Sequence, residues 1–217
     1  MSLAAVFGSG GKLGPIWVKT LTDAGYAVLD YDYPQWDARR SLIWTAPAPD
    51  VVLYNAAIDH PPGESVNFFT DCDDIVDVNL LGAVRVFNAV MPKMVENGGG
   101  VFIVVGSIQG FVGADWRNYP PGFEKPVGYN LSKASLPQLV RSVTVLYGPK
   151  NIRAVCMAFA AVDTGKLSQE FLEKYLRCVP LGRPVSAESL RTTLLYVIQC
   201  QDLTGQTVLV DGGYTAW

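Results

Sequence analysis

Tyr129 and Lys133 stand four positions apart in the stretch VGYNLSKAS. On a helix this spacing puts both side chains on one face, one turn apart. A free tyrosine, titrating near ~10, is a poor base at neutral pH. A cation within about 4–6 Å favours its phenolate. Such a pair could exchange a proton with an alcohol or ketone oxygen. Tyr-x-x-x-Lys also arises by chance, so the rest of the chain must support the reading. A second stretch, FGSGGKLG, sets Gly8, Gly10, Gly11 and Gly14 around Lys12 and Leu13. Glycine permits a sharp turn and close approach to a ligand. A helix that follows such a turn offers free N–H groups and a positive dipole to a pyrophosphate.

These residues need elements to hold them. LAAVF (3–7) is a short apolar run suited to a strand buried on both faces. Helical spacing follows over 12–25, then a strand over 26–32 and another over 50–57. A long amphipathic segment spans 71–96, with acids at its start that suit the helix dipole. Strands are expected at 101–107, 152–160 and 207–213, and helices at about 129–147 and 186–200. The alternation predicts an α/β, doubly wound parallel sheet (a Rossmann fold), as a single domain over 1–217 with six or seven strands. Ligands of such sheets sit beyond the carboxyl ends of the strands. Those ends carry Gly8–Gly14, Asp32, Asn55, Ser107 and the 160–164 segment.

The glycine loop between a strand and a helix fits a dinucleotide site. About 20 residues on, Asp30 and Asp32 share a strand face, at the spacing where an acid can bind adenosine ribose hydroxyls. Asp32 is nearer the strand end and is favoured. Its carboxylate would repel a 2′-phosphate, so NAD(H) is favoured over NADP(H), although Lys12 could reach a phosphate.

The chain has 217 residues, 49% hydrophobic, and a formal charge of −3, enough for one core and without a basic footprint for nucleic acid. Its four cysteines, Cys72, Cys156, Cys178 and Cys200, form no C-x-x-C and read as reduced thiols of a cytoplasmic protein. One histidine, His60, argues against zinc and reads as a surface loop residue. MSLAAVFGSGG lacks the basic start of a signal peptide. No apolar run is expected to cross a bilayer.

With these pieces in place the chain resembles the short-chain dehydrogenase/reductase family over nearly its full length. GSGGKLG is similar to the family's glycine motif, in a variant spacing. YNAA, with Asn55, Ala56 and Ala57, resembles its Asn-Asn-Ala-Gly. DVNLLGAVRVFNAVMPKM carries Asn79 where the family has a structural asparagine, and IVVGS ends in Ser107. YNLSK supplies Tyr129 and Lys133, while PLGRPVSAESL and LTGQTVLVDGGYT resemble the C-terminal motifs.

The resemblance implies hydride transfer between a nicotinamide cofactor and a secondary alcohol or ketone, a small-molecule substrate. Tyr129 would be general acid/base, Ser107 would bind the reacting oxygen, and Lys133 would hold the nicotinamide ribose. Asn79 would position a water of the proton relay. Val162 and Thr164 would contact the nicotinamide amide. A homotetramer or homodimer is implied, through the helices at about 75–96 and 129–147. Alternatives are an inactive nucleotide-binding regulator on the same fold, or a nucleotide-sugar epimerase or dehydratase.

Three departures stand out. Phe159-Ala160 replaces the family's Pro-Gly. The connection from Asp32 to Asp50 is too short for a full helix–strand unit. The helix after strand two should be missing and the outermost strand rudimentary or absent, leaving a loop with Trp36 and Asp37 as the candidate to hold adenine. Finally, the loop at 108–128 is long. It reads as a substrate-binding wall, or alternatively as an oligomer contact or surface padding. Arg117, Asn118, Asp115 and Glu124 suggest a polar, sugar-like substrate; Phe111, Trp116 and Phe123 suggest an aromatic or polyketide-like one. The segment between Thr164 and Leu181 is short, so an open cleft is expected.

Overall fold

The computed structural model describes residues 2–60, 66–165 and 167–216. The strands are β1 (Leu3–Phe7), β2 (Ala27–Tyr31), β3 (Val51–Tyr54), β4 (Gly100–Ser107), β5 (Ile152–Phe159) and β6 (Thr207–Val210). They form one six-stranded sheet in the order β2-β1-β3-β4-β5-β6. Every pairing is parallel. The order reverses between β1 and β3, which opens a crevice at their carboxyl ends.

Strand residues alternate between two apolar layers, as a sheet covered on both faces requires. Val6, Leu53, Ile103, Val105 and Met157 face Trp17 and Leu21 of α1 (Gly14–Asp23) and Leu190, Leu194 and Val197 of α6 (Ala187–Gln199). Phe7, Val52, Tyr54, Phe102 and Val104 face the other layer. There they meet Val86, Val90 and Met94 of α3 (Gly82–Glu96) and Leu136, Val140 and Val143 of α4 (Val127–Tyr147).

The shortened connection after β2 behaves as its length predicts. Between Tyr31 and Val51 there is no helix and no strand, and β2 is the sheet edge. The loop covers that edge with rings instead. Trp36 meets Phe7 edge-on at 5.0 Å, and Trp44 lies 5.8 Å from Tyr31. Phe7 and Tyr31 stack at 4.7 Å.

Residues 72–96 form one helical run. It comprises α2 (Cys72–Val76), a π-helical turn over Asp77–Leu81, and α3. This corrects the expectation about apolar runs: the 25 residues are long and apolar enough, by length and composition, to cross a bilayer. Here half of that stretch is buried against the rest of the fold. Ile75, Ala83, Val86 and Val90 are fully buried.

The sequence reading assigned no element between Thr164 and Leu181. The structure forms α5 (Gln169–Tyr175) there. Ser168 caps it by accepting the Phe171 N–H at 3.2 Å, and Lys174 pairs with Glu170 one turn earlier. Both signals were present in SQEFLEK.

Candidate active site

The crevice between β1 and β3 opens into a cavity of about 490 Å³. Gly8, Gly11, Lys12, Leu13, Asp32, Asn55, Ala56, Ala57, Tyr129 and Lys133 all line it. Ten predicted site residues from four chain segments therefore meet in one place.

The backbone explains the glycine-loop end. Gly8 has φ +87°, and a Cβ there would lie 2.5 Å from the Ala56 nitrogen. Only glycine lets β1 leave the sheet so close to the turn after β3. Asn55 fastens the two together. Its Nδ2 donates to the Gly8 carbonyl at 2.8 Å, and its Oδ1 accepts from Trp17 Nε1 at 2.9 Å. Asparagine thus ties the loop to α1 as well as to β3. Gly10 stands behind Asp32, where a Cβ would lie 2.0 Å from Oδ2. The carboxylate is therefore seated against the loop at the cavity edge. Gly10 and Gly14 shape the loop without lining the cavity.

Tyr33, Trp36, Asp37, Ala38 and Arg39 close this end. Arg39 was not singled out from the sequence, because a lone arginine in a short loop carries no pattern. Its guanidinium is occupied by Asp37 at 2.9 Å and Asp74 at 3.1 Å. The bond from Arg39 holds the Asp37 carboxyl below its ordinary range.

At the other end, Ser107 leaves β4 with 8% of its surface exposed, close enough to Tyr129 to favour its phenolate. Ser107 Oγ also accepts from the Gln109 N–H at 3.2 Å. Lys133 lies one turn along α4 from Tyr129, its Nζ 5.6 Å from the ring centroid and donating to the Val105 carbonyl at 2.9 Å. Burial pulls Lys133 down to about 8.

The electrostatics correct one expectation. Lys133 alone does not lower the phenol; Tyr129 is pushed above its ordinary value. Burial is the main cause and the Asp59 charge adds to it, against a lowering hydrogen bond from Ser107. Desolvation penalises a buried phenolate, and Lys133 is itself buried and engaged with a carbonyl.

Asn79 sits in the π-helical turn and is fully buried. Its Oδ1 accepts from the Ile58 N–H at 2.7 Å, while Nδ2 donates to the Ile58 carbonyl at 3.0 Å and to Ser132 Oγ at 3.2 Å. It clamps the segment after β3 against α4, and so sets where the cavity wall stands. A π-turn at such a point is a common functional feature. Val162 and Thr164 do not line the cavity. Val162 is instead bridged to Val185, and the Val185 N–H donates to the Ala161 carbonyl at 2.9 Å. The Ala160 N–H pairs with the Val210 carbonyl at 3.2 Å. The sheet pairing therefore runs one residue past β5.

Ile58 and Asp59 line the cavity although no motif pointed to them. Asp59 pairs with Lys125, from the end of the long loop. The neighbouring His60 is not a plain surface residue: its Nε2 lies 3.2 Å from Asp71 Oδ2 and its side chain is only 17% exposed.

The long loop folds onto the C-terminal third of the chain. Tyr119 stacks on Phe123 at 5.0 Å and lies 5.8 Å from Phe171; Phe171 stacks on Tyr175, and Tyr175 on Tyr214, each at 5.1 Å. Tyr175 Oη accepts from the Ala161 N–H at 3.1 Å, and Asn118 Nδ2 donates to Tyr214 Oη at 3.3 Å. Trp116 remains 76% exposed.

Known proteins were compared with this arrangement. The family model described as Enoyl-(Acyl carrier protein) reductase matches residues 40–215. Dehydrogenase/reductase SDR family member 4 of Homo sapiens is 29% identical over 173 residues, covering 76% of this chain and 59% of that protein. The Sus scrofa protein of the same name is 31% identical over 173 residues, covering 76% and 58%. The 3-oxoacyl-(acyl-carrier-protein) reductase FabG of Aquifex aeolicus is 29% identical over 171 residues, covering 76% and 64%. The chain thus spans about three fifths of the length of these curated relatives. Among solved structures, a short chain dehydrogenase from Leptospira borgpetersenii with bound NAD+ matches with a TM-score of 0.84 at 22% identity, over 99% of this chain and 92% of that one. A gluconate 5-dehydrogenase from Burkholderia cenocepacia in complex with NADP and tartrate matches with a TM-score of 0.83 at 19% identity, over 100% and 96%. The matched stretch reaches from within the shortened loop to beyond β6, and the chain belongs to the short-chain dehydrogenase/reductase family.

Proposed function

We propose that this protein transfers a hydride between a nicotinamide cofactor and a secondary alcohol or ketone, with Tyr129 as general acid/base. The observation that carries the proposal is the convergence of Tyr129 and Lys133 on the same cavity as the glycine loop, with Ser107 beside Tyr129. The cavity suits a dinucleotide. Its glycine cradle would be filled by a Cβ at Gly8, and Asp32 and Asn55 stand at the loop end. Gly8, Gly10, Gly11, Lys12, Leu13 and Gly14 would hold the pyrophosphate on backbone groups, and Asp32 the adenosine ribose. Ala56 and Ala57 would form the wall along the cofactor, and Lys133 would hold the nicotinamide ribose. Val162 and Thr164 remain candidates for the nicotinamide amide only if their segment moves towards the cavity. When bound, an oxidised nicotinamide supplies the hydride acceptor and a further positive charge.

Ser107 would donate to the substrate oxygen as charge develops on it, and Tyr129 would pass its proton to or from that oxygen. Asn79 would keep the surrounding wall in register, with a water of the proton relay on its Lys133 side. Preference for NAD(H) over NADP(H) is supported by the carboxylate of Asp32 in the cavity lining, which would repel a 2′-phosphate, and by the two acids that occupy Arg39. We read the 108–128 loop, within a single 1–217 domain, as the substrate-side wall. A homotetramer or homodimer is supported by Leu131, Val145 and Leu146, which leave α4 with apolar surface exposed. The four free thiols suit a reducing, cytoplasmic setting.

Stopped-flow absorbance at the nicotinamide band, with a panel of ketones, tests the reading. Tyr129→Phe should lower turnover at least about 100-fold, the usual range for loss of a general acid/base. NAD+ binding by calorimetry should be unchanged in that variant and tighter than NADP+ binding. Turnover that survives in Tyr129→Phe would reject the proposal.

A further inference from the structure

Tyr129 has a second lysine on it. Lys125 Nζ lies 4.5 Å from the centroid of the Tyr129 ring, nearer than Lys133 at 5.6 Å. The Lys125 side chain is only 8% exposed and its ammonium is bonded to Asp59, whose side chain is 35% exposed and lines the cavity. These two residues come from different segments, one after β3 and one just before α4. Neither has a part in the proton transfer proposed above.

An ammonium over an aromatic face is attracted by the ring's electron density. When the phenol loses its proton, part of the negative charge spreads into the ring, so the same contact becomes stronger. Asp59 acts in the opposite sense: a carboxylate near the ring disfavours phenolate. The pair therefore places one charge of each sign beside the group whose charge must change. Other groups around Tyr129 are Lys133 from its own helix, Ser107 from the end of β4, and Tyr119 from the long loop. Among these described neighbours, Lys125 and Asp59 are the oppositely charged pair.

We propose that Lys125 and Asp59 form a second electrostatic control on Tyr129, the ammonium favouring the phenolate through the ring face and the carboxylate holding that effect in check. Both are positioning residues: they act through Tyr129 and touch neither reacting atom. Their source also gives the long loop a task besides shaping the cleft, because the loop delivers Lys125 to the ring. A substrate or conformational step that drew Asp59 away would leave the ammonium unopposed and make Tyr129 a better base.

The inference rests on the proposed role of Tyr129, and its test separates the two. Carbon NMR of ring-labelled tyrosine, recorded in the presence of NAD+, follows the Tyr129 titration directly; the resonance is assigned by its loss in Tyr129→Phe. Lys125→Met should move the titration up by about one pH unit, and Asp59→Asn should move it down by a similar amount, the usual size for a charge at this range. Lys125→Arg, which keeps the cation, should stay near the parent protein. These opposite shifts are not what a general loss of packing would produce. If Lys125→Met fails to fold, the downward shift in Asp59→Asn together with an unmoved Lys125→Arg carries the test. Shifts of the same sign in both charge-removing variants, or no shift in either, would overturn the inference while leaving Tyr129 as acid/base. Retained turnover in Tyr129→Phe would instead overturn the underlying reading.

Discussion

The glycine-loop end of the cavity and the seat of the long loop are built by different means. At the glycine-loop end, backbone does most of the work: β1 and β3 stop side by side, Gly8 turns between them, and Asn55 bonds to the turn. Where the long loop meets the C-terminal third of the chain, side chains do it. A row of rings from Phe123 through Tyr119, Phe171 and Tyr175 to Tyr214 holds together three segments that are distant in sequence. Backbone architecture tolerates little change at a few positions. A ring stack spreads its stability over several contacts, each worth about 0.5–1.5 kcal/mol beyond burial.

The contrast can be broken at its most demanding point. Gly8→Val puts a branched side chain where φ is +87° and where even a Cβ meets Ala56 at 2.5 Å. Strain of this kind costs about 3 kcal/mol. Cofactor affinity should fall by about 100-fold or more, as read by calorimetry with NAD+, and near-normal affinity would show that the turn is not the rigid element described here.

A smaller effect is expected in the ring row. Phe171→Ala removes the ring that links the long loop to α5, at a cost of about 2 kcal/mol for a partly buried phenyl group. Denaturant midpoints measure the loss, while steady-state kinetics should show KM rising more than kcat falls and NAD+ affinity holding. Weakened NAD+ binding in that variant would mean that the two regions are mechanically one.

The smallest change lies at the seam between them. Lys133 is lowered from 10.5 to about 8 by burial, so the folded state resists a charge that the unfolded chain accepts. The unfolded chain binds more protons between those values, and stability from this group therefore rises with pH from about 8 to 10.5. Lys133→Met removes the penalty but also the bond to Val105. Its stability relative to the parent should be most favourable below pH 8 and should decline towards pH 10.5, the lost bond lowering the difference at every pH alike. Thermal melts across this range check the sign; a rising difference would mean that Lys133 is not penalised by burial.

The sequence by itself determined the doubly wound parallel sheet and the glycine-loop end. These follow from short-range signals: apolar runs of strand length, helical spacing, and a glycine cluster between a strand and a helix. The missing crossover was equally legible, since the chain from Asp32 to Asp50 is too short to hold one. The side-by-side placement of Tyr129 and Lys133 followed from their four-residue spacing on α4. What only the tertiary structure decided was the charge balance at Tyr129 and the seating of the long loop. Burial outweighs the lysine's attraction there, and burial is a property of everything packed around a group. Asp59 and Lys125 meet across 66 residues, and the ring row joins residues from 119 to 214, pairings that no local pattern encodes. The same holds for Val162, which bridges to Val185 and does not line the cavity. Local spacing fixes which faces side chains share; which charges and rings end up touching depends on the closure of the whole chain.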